Sequence, residues 1–377
     1  MSKSIYLGAD GQLAVQDVTE SYKPTDSQAL VQVKYSGVNL LDQKGFYFGL
    51  HSFVTGYEFS GTVSESGPLS PFKPGDAIFG MSKAGPGRTS CFGAHQDVLI
   101  AEARTSFRLP HTLDFKDAAV LSLSAHTAVD GLFNCLAYGF PAAKVRGADA
   151  NGQPILIWGG GSSVGIAVIQ IAQAAGFGPV FATASPKNHK ILKSLGVTEC
   201  FDYKSPTVVD DIRKAVASAG VRLGTVFDCV SVGALGPNAI ENSSPALARR
   251  CCSDGVPAEE LRLVSTGPVP ADPKYGFCTS YRPYGDADFA GNQQDPEWPI
   301  RTRSVMEYLL EGDIAHIKMP NITVVQGAEA GIREIQRVSQ GNVSLEKVAL
   351  EHPIGAIIEV PEPNPIVRSP PEPLRAI

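Results

Sequence analysis

The chain has 377 residues, 43% hydrophobic and 19% charged, and a formal net charge of −6. That length exceeds what a single core organises, so two domains are expected, and the composition excludes wholesale disorder. The acidic balance, without any basic stretch, argues against nucleic acid as a partner. No apolar run reaches the roughly 18 residues of a membrane span, and the opening MSKSIYLGADG lacks a secretory layout. Seven scattered cysteines suit a reducing compartment; the expectation is a cytoplasmic protein with structural thiols and no metal.

The first third reads as short strands separated by Gly, Pro and Asp: residues 4–7, 13–17, 29–38, 55–64, 72–79, 93–100 and 106–109. Such a series without a long helix predicts a β-rich, barrel-like unit. Residues 115–136 are rich in Ala and Leu and free of proline, which predicts one or two helices, and 142–153 is a polar loop. An α/β rhythm follows. Strands are expected at 155–158, 179–184, 199–201, 224–230 and 261–266, with helices at 164–175, 189–195, 208–219 and within 238–252, the pattern of a doubly wound parallel sheet. Residues 268–299, dense in Pro, Gly, Asp and aromatics, read as an irregular loop. Helices at 300–311 and 328–340 and a strand at 344–350 come next, before a proline-dense extended tail from 353.

The most informative stretch is 154–176, PILIWGGGSSVGIAVIQIAQAAG: an apolar strand, a glycine turn, then a helix apolar on nearly every side. This device places a pyrophosphate on helix N-terminal N–H groups. The strict G-x-G-x-x-G pattern is not met, because Ser162 holds the middle position between Gly160 and Gly165. The expected cradle is Gly160, Gly161, Ser162, Ser163 and Val164, with the Ser162 hydroxyl added to the backbone donors. Where a NAD site places an acid on the ribose, the next strand ends instead in SPKNHK. Ser185, Lys187 and Asn188 suit a 2′-phosphate, and a carboxylate there would repel one, so the cofactor is read as NADPH.

The ordered motifs GxExxGxV (Gly56, Glu58, Gly61, Val63), KPGDxIFG, the glycine turn, SPKN, FDY, FDCV and GNVSLEKV resemble the medium-chain dehydrogenase/reductase superfamily over residues 4–350. Within it the chain looks closest to the zinc-free quinone- and enoyl-reductase branch. VNLLDQK, IWGGGSSVG, ATASPKN and GNVSLEKV resemble the enoyl reductases that act in trans on fungal polyketide synthases. The resemblance implies an α/β fold in which a Rossmann-type doubly wound parallel sheet is inserted into a GroES-like, β-barrel-containing catalytic domain. The expected boundaries are 1–125 with 312–360 for the catalytic domain, 126–311 for the NADPH-binding domain and 361–377 for the tail. It places Tyr203 at the adenosine phosphate end and Thr127 at the nicotinamide or its ribose, although a Thr127 hydroxyl bonded to its own helix backbone is the alternative.

In the zinc-dependent relatives the metal needs Cys, His and Cys. The corresponding positions here are Asn39, Tyr57 and Leu123, and residues 80–96 hold a single cysteine, Cys91. Hydride from NADPH is then expected to go to an alkene conjugated to a carbonyl, forming an enolate that needs hydrogen-bond donors and a proton source. Asn39 offers an amide and Tyr57 a phenol. Lys44, then Tyr47, are the leading proton donors, while Asp42 and Glu58 read as turn anchors. The implied substrate is a small molecule or a carrier-protein-bound acyl group, with a polyketide synthase as partner and a monomeric or homodimeric state. A quinone or detoxifying enone reductase, a pathway enzyme with unusual redox-linked chemistry, and a non-catalytic NADPH binder are the alternatives.

Overall fold

The computed structural model describes residues 2–85, 87–236, 239–288, 293–310 and 317–355. The tail segment 361–377 therefore lies outside the described residues. In the first part of the chain run β1 (Lys3–Leu7), β2 (Leu13–Asp17), β3 (Gln28–Val38), β4 (Phe53–Val54), β5 (Glu58–Ser66), β6 (Ala77–Met81), β7 (Val98–Glu102) and β8 (Ser106–Arg108). β3 is the spine of this half. It pairs antiparallel with both β5 and β7, and register shifts between Leu30 and Val31 and between Val33 and Tyr35 bend it. Its period-two pattern turns Ala29, Val31 and Val33 inward against Phe59, Val63, Ile78 and Leu99.

The second sheet contains β9 (Ile155–Trp158), β10 (Val180–Thr183), β11 (Glu199–Phe201), β12 (Thr225–Asp228), β13 (Arg262–Ser265) and β14 (Tyr275–Phe277). All five pairings are parallel, in the order β11-β10-β9-β12-β13-β14. The expected doubly wound sheet is present, and its strand order reverses between β9 and β12, where the glycine turn begins. β9 is buried at every position because both faces of the sheet are covered. One face packs Ile157 and Val264 against Ile166 and Ile169 of a helix at Ser163–Ala174, and the other packs Leu156, Phe181 and Val226 against Ile212 and Ala248.

Three expectations are corrected. The 115–136 region divides into α1 (Phe115–Ala118), α2 (Ser122–Val129) and a π-helical turn, Asp130–Cys135. That turn is pinned by a bidentate Arg282–Asp130 pair at 2.6 and 2.8 Å. The 268–299 region is not wholly irregular, since Tyr275–Phe277 is the sheet's sixth strand. A strand missing from the sequence reading, β15 (Ile322–Gln326), lies parallel to β16 (Lys347–Glu351). β16 then pairs antiparallel with β3, Val348 opposite Val38, so the chain returns to the first sheet after completing the second. Among the described residues no helix is long and apolar enough to cross a membrane.

Gly165 sets how closely its helix approaches β9. A Cβ there would lie 2.4 Å from the Gly159 carbonyl oxygen and 2.8 Å from the Gly160 Cα. Gly165→Ala adds helix propensity of about 1 kcal/mol, but the clash is with backbone that cannot rotate away. A net loss of about 1–3 kcal/mol is expected in urea unfolding.

Candidate active site

The glycine turn is organised by its own hydrogen bonds. Gly159 has φ +85°, and the strand end is fixed by Gly159 N–H to Thr183 Oγ1 (2.9 Å) and Gly160 N–H to the Thr183 carbonyl (2.9 Å). Ser162 is the N-cap of the helix. Its hydroxyl donates to the Gly159 carbonyl (2.8 Å) and accepts from Gly165 N–H (3.0 Å). This corrects the expectation that the Ser162 hydroxyl faces a pyrophosphate, because it is engaged at both ends. The first-turn N–H groups of Ser163 and Val164 have no acceptor within the helix and are open to an anion, whereas a Cβ on Gly160 would meet the apolar side chains of Ala182, Ile169 and Leu192.

The loop after β10 divides its residues. Lys187 is exposed and Ser185 partly so, whereas Asn188 is buried and donates to Ser344 Oγ at 2.7 Å. Tyr203 is 42% exposed, with Lys204 Nζ 5.8 Å from its ring centroid. Leu345 N–H donates to the Gly161 carbonyl (2.9 Å), so the loop leading into β16 rests on the glycine turn.

β16 also builds the opposite side of the seam. Lys347, only 4% exposed, sends its ammonium to Glu58 Oε1 (2.5 Å), Asn39 Oδ1 (2.6 Å) and the Val38 carbonyl (3.2 Å). Asn39 Nδ2 donates to Glu58 Oε1 (2.9 Å) and the Gly37 carbonyl (3.2 Å), and Leu123 N–H donates to Glu58 Oε2 (2.9 Å). Glu58 is a turn anchor of wider reach than expected, joining β5 to β16 and to the start of α2. The Asn39 amide, read from sequence as a donor to substrate, has its N–H groups committed within the protein and acts as a positioning group. Lys347 was missed, although one lysine opening an otherwise apolar strand in GNVSLEKV was a visible signal. Its partners lie about 300 residues away, which spacing alone does not reveal.

The remaining candidates spread around this corner. The Thr127 hydroxyl donates to the Leu123 carbonyl (2.8 Å), the helix-backbone alternative, which leaves its lone pairs as acceptors. Lys44 is half-buried at the end of a helical turn, Leu41–Lys44, and Tyr47, 79% exposed, sits on the 3₁₀ turn that follows. Neither touches the Lys347 cluster. Asp42 is fully buried and accepts from Asn39 N–H (2.6 Å), Gly56 N–H (3.1 Å) and His95 Nε2 (3.2 Å). Tyr57 is buried, and burial pushes its phenol up to about 12, with Arg88 pulling the other way. Among the described residues no group of three or more His, Cys, Asp or Glu could hold a metal ion. His126, on α2, lines a separate cavity with Arg104, Asp130 and Arg282. Burial drives its imidazole down to about 4, Arg303 adds to this, and the Ser122 carbonyl and Asp130 oppose it.

Two family models match the chain: an alcohol dehydrogenase GroES-like domain over residues 25–111 and a zinc-binding dehydrogenase over residues 163–253. The trans-enoyl reductase tazE of Aspergillus terreus is 34% identical over 233 residues, 57% of this chain and 72% of that protein. The dehydrogenase azaJ of Aspergillus niger is 35% identical over 222 residues, 56% of this chain and 63% of its own length, so the chain spans under two thirds of that relative. The solved structure of an alcohol dehydrogenase superfamily protein from Novosphingobium aromaticivorans has the same fold. It aligns with TM-score 0.67 and 23% identity over 93% of this chain and 99% of that one.

Lys347→Met leaves the Glu58 carboxylate buried without its counter-charge, and a loss of about 3–5 kcal/mol is expected. The double variant Lys347→Met/Glu58→Gln should recover more than half of it in the same unfolding assay. His126 makes a separate acid prediction. An unfolded histidine titrates near 6.5, so between that value and about 4 the unfolded chain binds the extra proton. Stability is therefore complete above about pH 6.5 and falls toward pH 4, by about 3 kcal/mol. His126→Gln should flatten that slope in unfolding curves taken between pH 7 and 4.5.

Proposed function

The chain belongs to the medium-chain dehydrogenase/reductase family, among its enoyl reductase-like members, and on that premise we propose that it reduces a C=C bond conjugated to a carbonyl, with NADPH as reductant. One observation carries this reading: the chemistry of Asn39 and Leu123, both bonded to Glu58, and of Tyr57, the residue before it. The residues there carry an amide, a phenol and an alkyl side chain, and the ammonium beside Asn39 is that of Lys347, already paired with Glu58. Thiolate and imidazole, the ligands that suit Zn²⁺, are missing from the set. A substrate carbonyl must then be polarised by hydrogen-bond donors, an arrangement that favours conjugate addition, where charge is delocalised into an enolate.

The residues on the seam fit a dinucleotide. A Cβ on Gly161 would come within 2.9 Å of Ser344 Oγ and 3.2 Å of Asn188 Nδ2, so glycine there is what lets the Ser344 and Asn188 pair close against the turn. The cofactor would rest on Gly160, Gly161 and the N–H groups of Ser163 and Val164, with Ser185, Lys187, Asn188 and Tyr203 at the 2′-phosphate end. When bound it supplies the hydride. Thr127, with lone pairs free, can orient a hydroxyl or amide group by accepting its hydrogen. Lys44 and Tyr47 lie on the same side as the Asn39 turn and are the candidates for returning a proton to the α-carbon.

The substrate class we favour is an enoyl thioester on a carrier protein, handed over by a polyketide synthase. The similarity to trans-enoyl reductases supports this, and exposed Tyr47 and Phe48 offer apolar surface for an acyl chain. The test is a panel of NADPH oxidation rates with an enoyl thioester, a simple enone, a quinone and a saturated ketone, repeated with NADH. The expected result is fastest turnover of the enoyl thioester and tighter binding of NADPH than NADH. Turnover of the ketone alone would overturn the reaction, and indifference to the pantetheine arm would move the substrate to free enones or quinones.

A further inference from the structure

Beside the Lys347 corner, the barrel encloses polar atoms that the protein itself leaves unsatisfied. Arg88 lies in the segment after β6 and is 5% exposed. Its guanidinium carbon sits 4.8 Å from the Phe53 ring centroid and 4.2 Å from that of Tyr57, a cation held between two aromatic faces. Nη2 donates to the carbonyls of Gly56 and Phe92. Nε and Nη1, which carry three of the five guanidinium N–H bonds, make no hydrogen bond of ordinary geometry, and neither does the Tyr57 hydroxyl, although the phenol and the guanidinium lie close enough to act on each other. Asp42, whose charge acts on both groups, has its oxygens engaged by Asn39 N–H, Gly56 N–H and His95. A buried guanidinium with unfilled donors is costly to hold, and an incoming acceptor that fills them recovers that cost.

We propose that Arg88 and Tyr57 form an oxygen-binding subsite, which takes the carbonyl oxygen of the substrate and holds it as hydride addition turns it into an enolate oxyanion. The inference rests on the reductase reading above and names the groups that reading lacks. A bound nicotinamide cofactor would supply a hydride to the β-carbon and leave oxidised, and Arg88 and Tyr57 would hold the oxygen that takes up the C=C electron pair until a proton at the α-carbon restores the carbonyl.

Three features favour an oxyanion as the occupant. Both groups give hydrogen bonds: a guanidinium has no acceptor, and the Tyr57 phenol stays protonated at neutral pH. The flanking rings keep water out, which strengthens every charge interaction there. The position is also apt. A Cβ on Gly45 would lie 3.4 Å from Tyr57 Oη, so the hydroxyl reaches the turn that carries Lys44 and Tyr47. Glu58, the next residue, holds Asn39 and Lys347.

Crotonate, whose carboxylate is a stable stand-in for the enolate oxygen, is the probe. Its affinity is measured by calorimetry on the full chain and on Arg88→Gln, Arg88→Lys and Tyr57→Phe. Arg88→Gln is expected to weaken crotonate by about tenfold or more, with Arg88→Lys recovering part of the loss. Tyr57→Phe removes a hydroxyl that makes no hydrogen bond of ordinary geometry in the free protein, so it should raise the thermal midpoint while weakening crotonate and lowering kcat more than it changes KM. A purely structural Tyr57 would not move stability and binding in opposite directions. Unchanged crotonate affinity in folded Tyr57→Phe and Arg88→Lys, or no crotonate binding to the parent chain, overturns the subsite. If crotonate behaves as expected but no enoyl thioester or enone is reduced, the oxygen-binding subsite is supported and the reduction reading falls.

Discussion

The contact between Lys347 and Glu58 constrains everything that faces the seam. Desolvating an ammonium and a carboxylate costs several kcal/mol for each ion, a cost offset only when every hydrogen and lone pair finds a partner. Here the ammonium's three hydrogens have three acceptors in Val38, Asn39 and Glu58, and both Glu58 oxygens are bonded. The pair can form only if β16 returns to β3 in its observed register, because Lys347 directly precedes the residue paired with Val38. The same return lays Leu345 on Gly161 and Ser344 on Asn188. The glycine turn and the Lys347 cluster are therefore held by one segment of seven residues, numbers 344–350. A displacement on one side is transmitted to the other through covalent chain.

That geometry explains which parts of the molecule were legible in the sequence. Strands 155–158, 199–201 and 13–17 match the structure at both ends, because each is a short apolar or alternating run bounded by turn residues. The parallel sheet followed from their alternation with helices. Local composition could not show which strands leave their neighbourhood. β14 hides in a segment rich in proline and glycine, and β15 is mostly solvent-facing, with a pattern too weak to register. The single helix or helix pair read at 115–136 breaks into a π turn for a tertiary reason. Gly131 lies against Phe227, where a Cβ would meet the ring at 2.2 Å, and Asp130 is held by Arg282 from 152 residues away.

The site was legible as residue types more than as roles. The glycine turn was placed correctly, yet Ser162 proved to be a helix cap, which any serine at that offset is free to become. Asn39 was identified from its position but interpreted as a free donor, since nothing in GVNLLD signals that a distant lysine claims its oxygen. Nothing in the sequence sets Arg88 apart, because an arginine in a polar loop is ordinarily solvated. Only its burial between Phe53 and Tyr57 makes it exceptional.

Beneath the Asn39 turn runs a chain of four contacts whose proton count fixes its state. Asp42 meets His95 Nε2 at 3.2 Å, His95 Nδ1 meets Ser36 Oγ at 2.9 Å, Ser36 Oγ meets His352 Nε2 at 2.9 Å, and His352 Nδ1 meets Asp97 at 3.1 Å. Each contact needs one proton between its heavy atoms. With carboxylates at both ends and both imidazoles neutral, the two histidines and the serine hydroxyl supply three. A hydrogen bond at all four contacts needs one proton more, which either an imidazole or a carboxyl can carry. Burial pulls His352 below its ordinary value and Asp97 opposes that pull, the balance expected where desolvation and a fixed counter-charge compete for the same proton. Because Asp42 also holds Asn39 N–H and Gly56 N–H, this chain of contacts ties the His352 end of β16 to the turn carrying Lys44 and to the strand start carrying Tyr57 and Glu58.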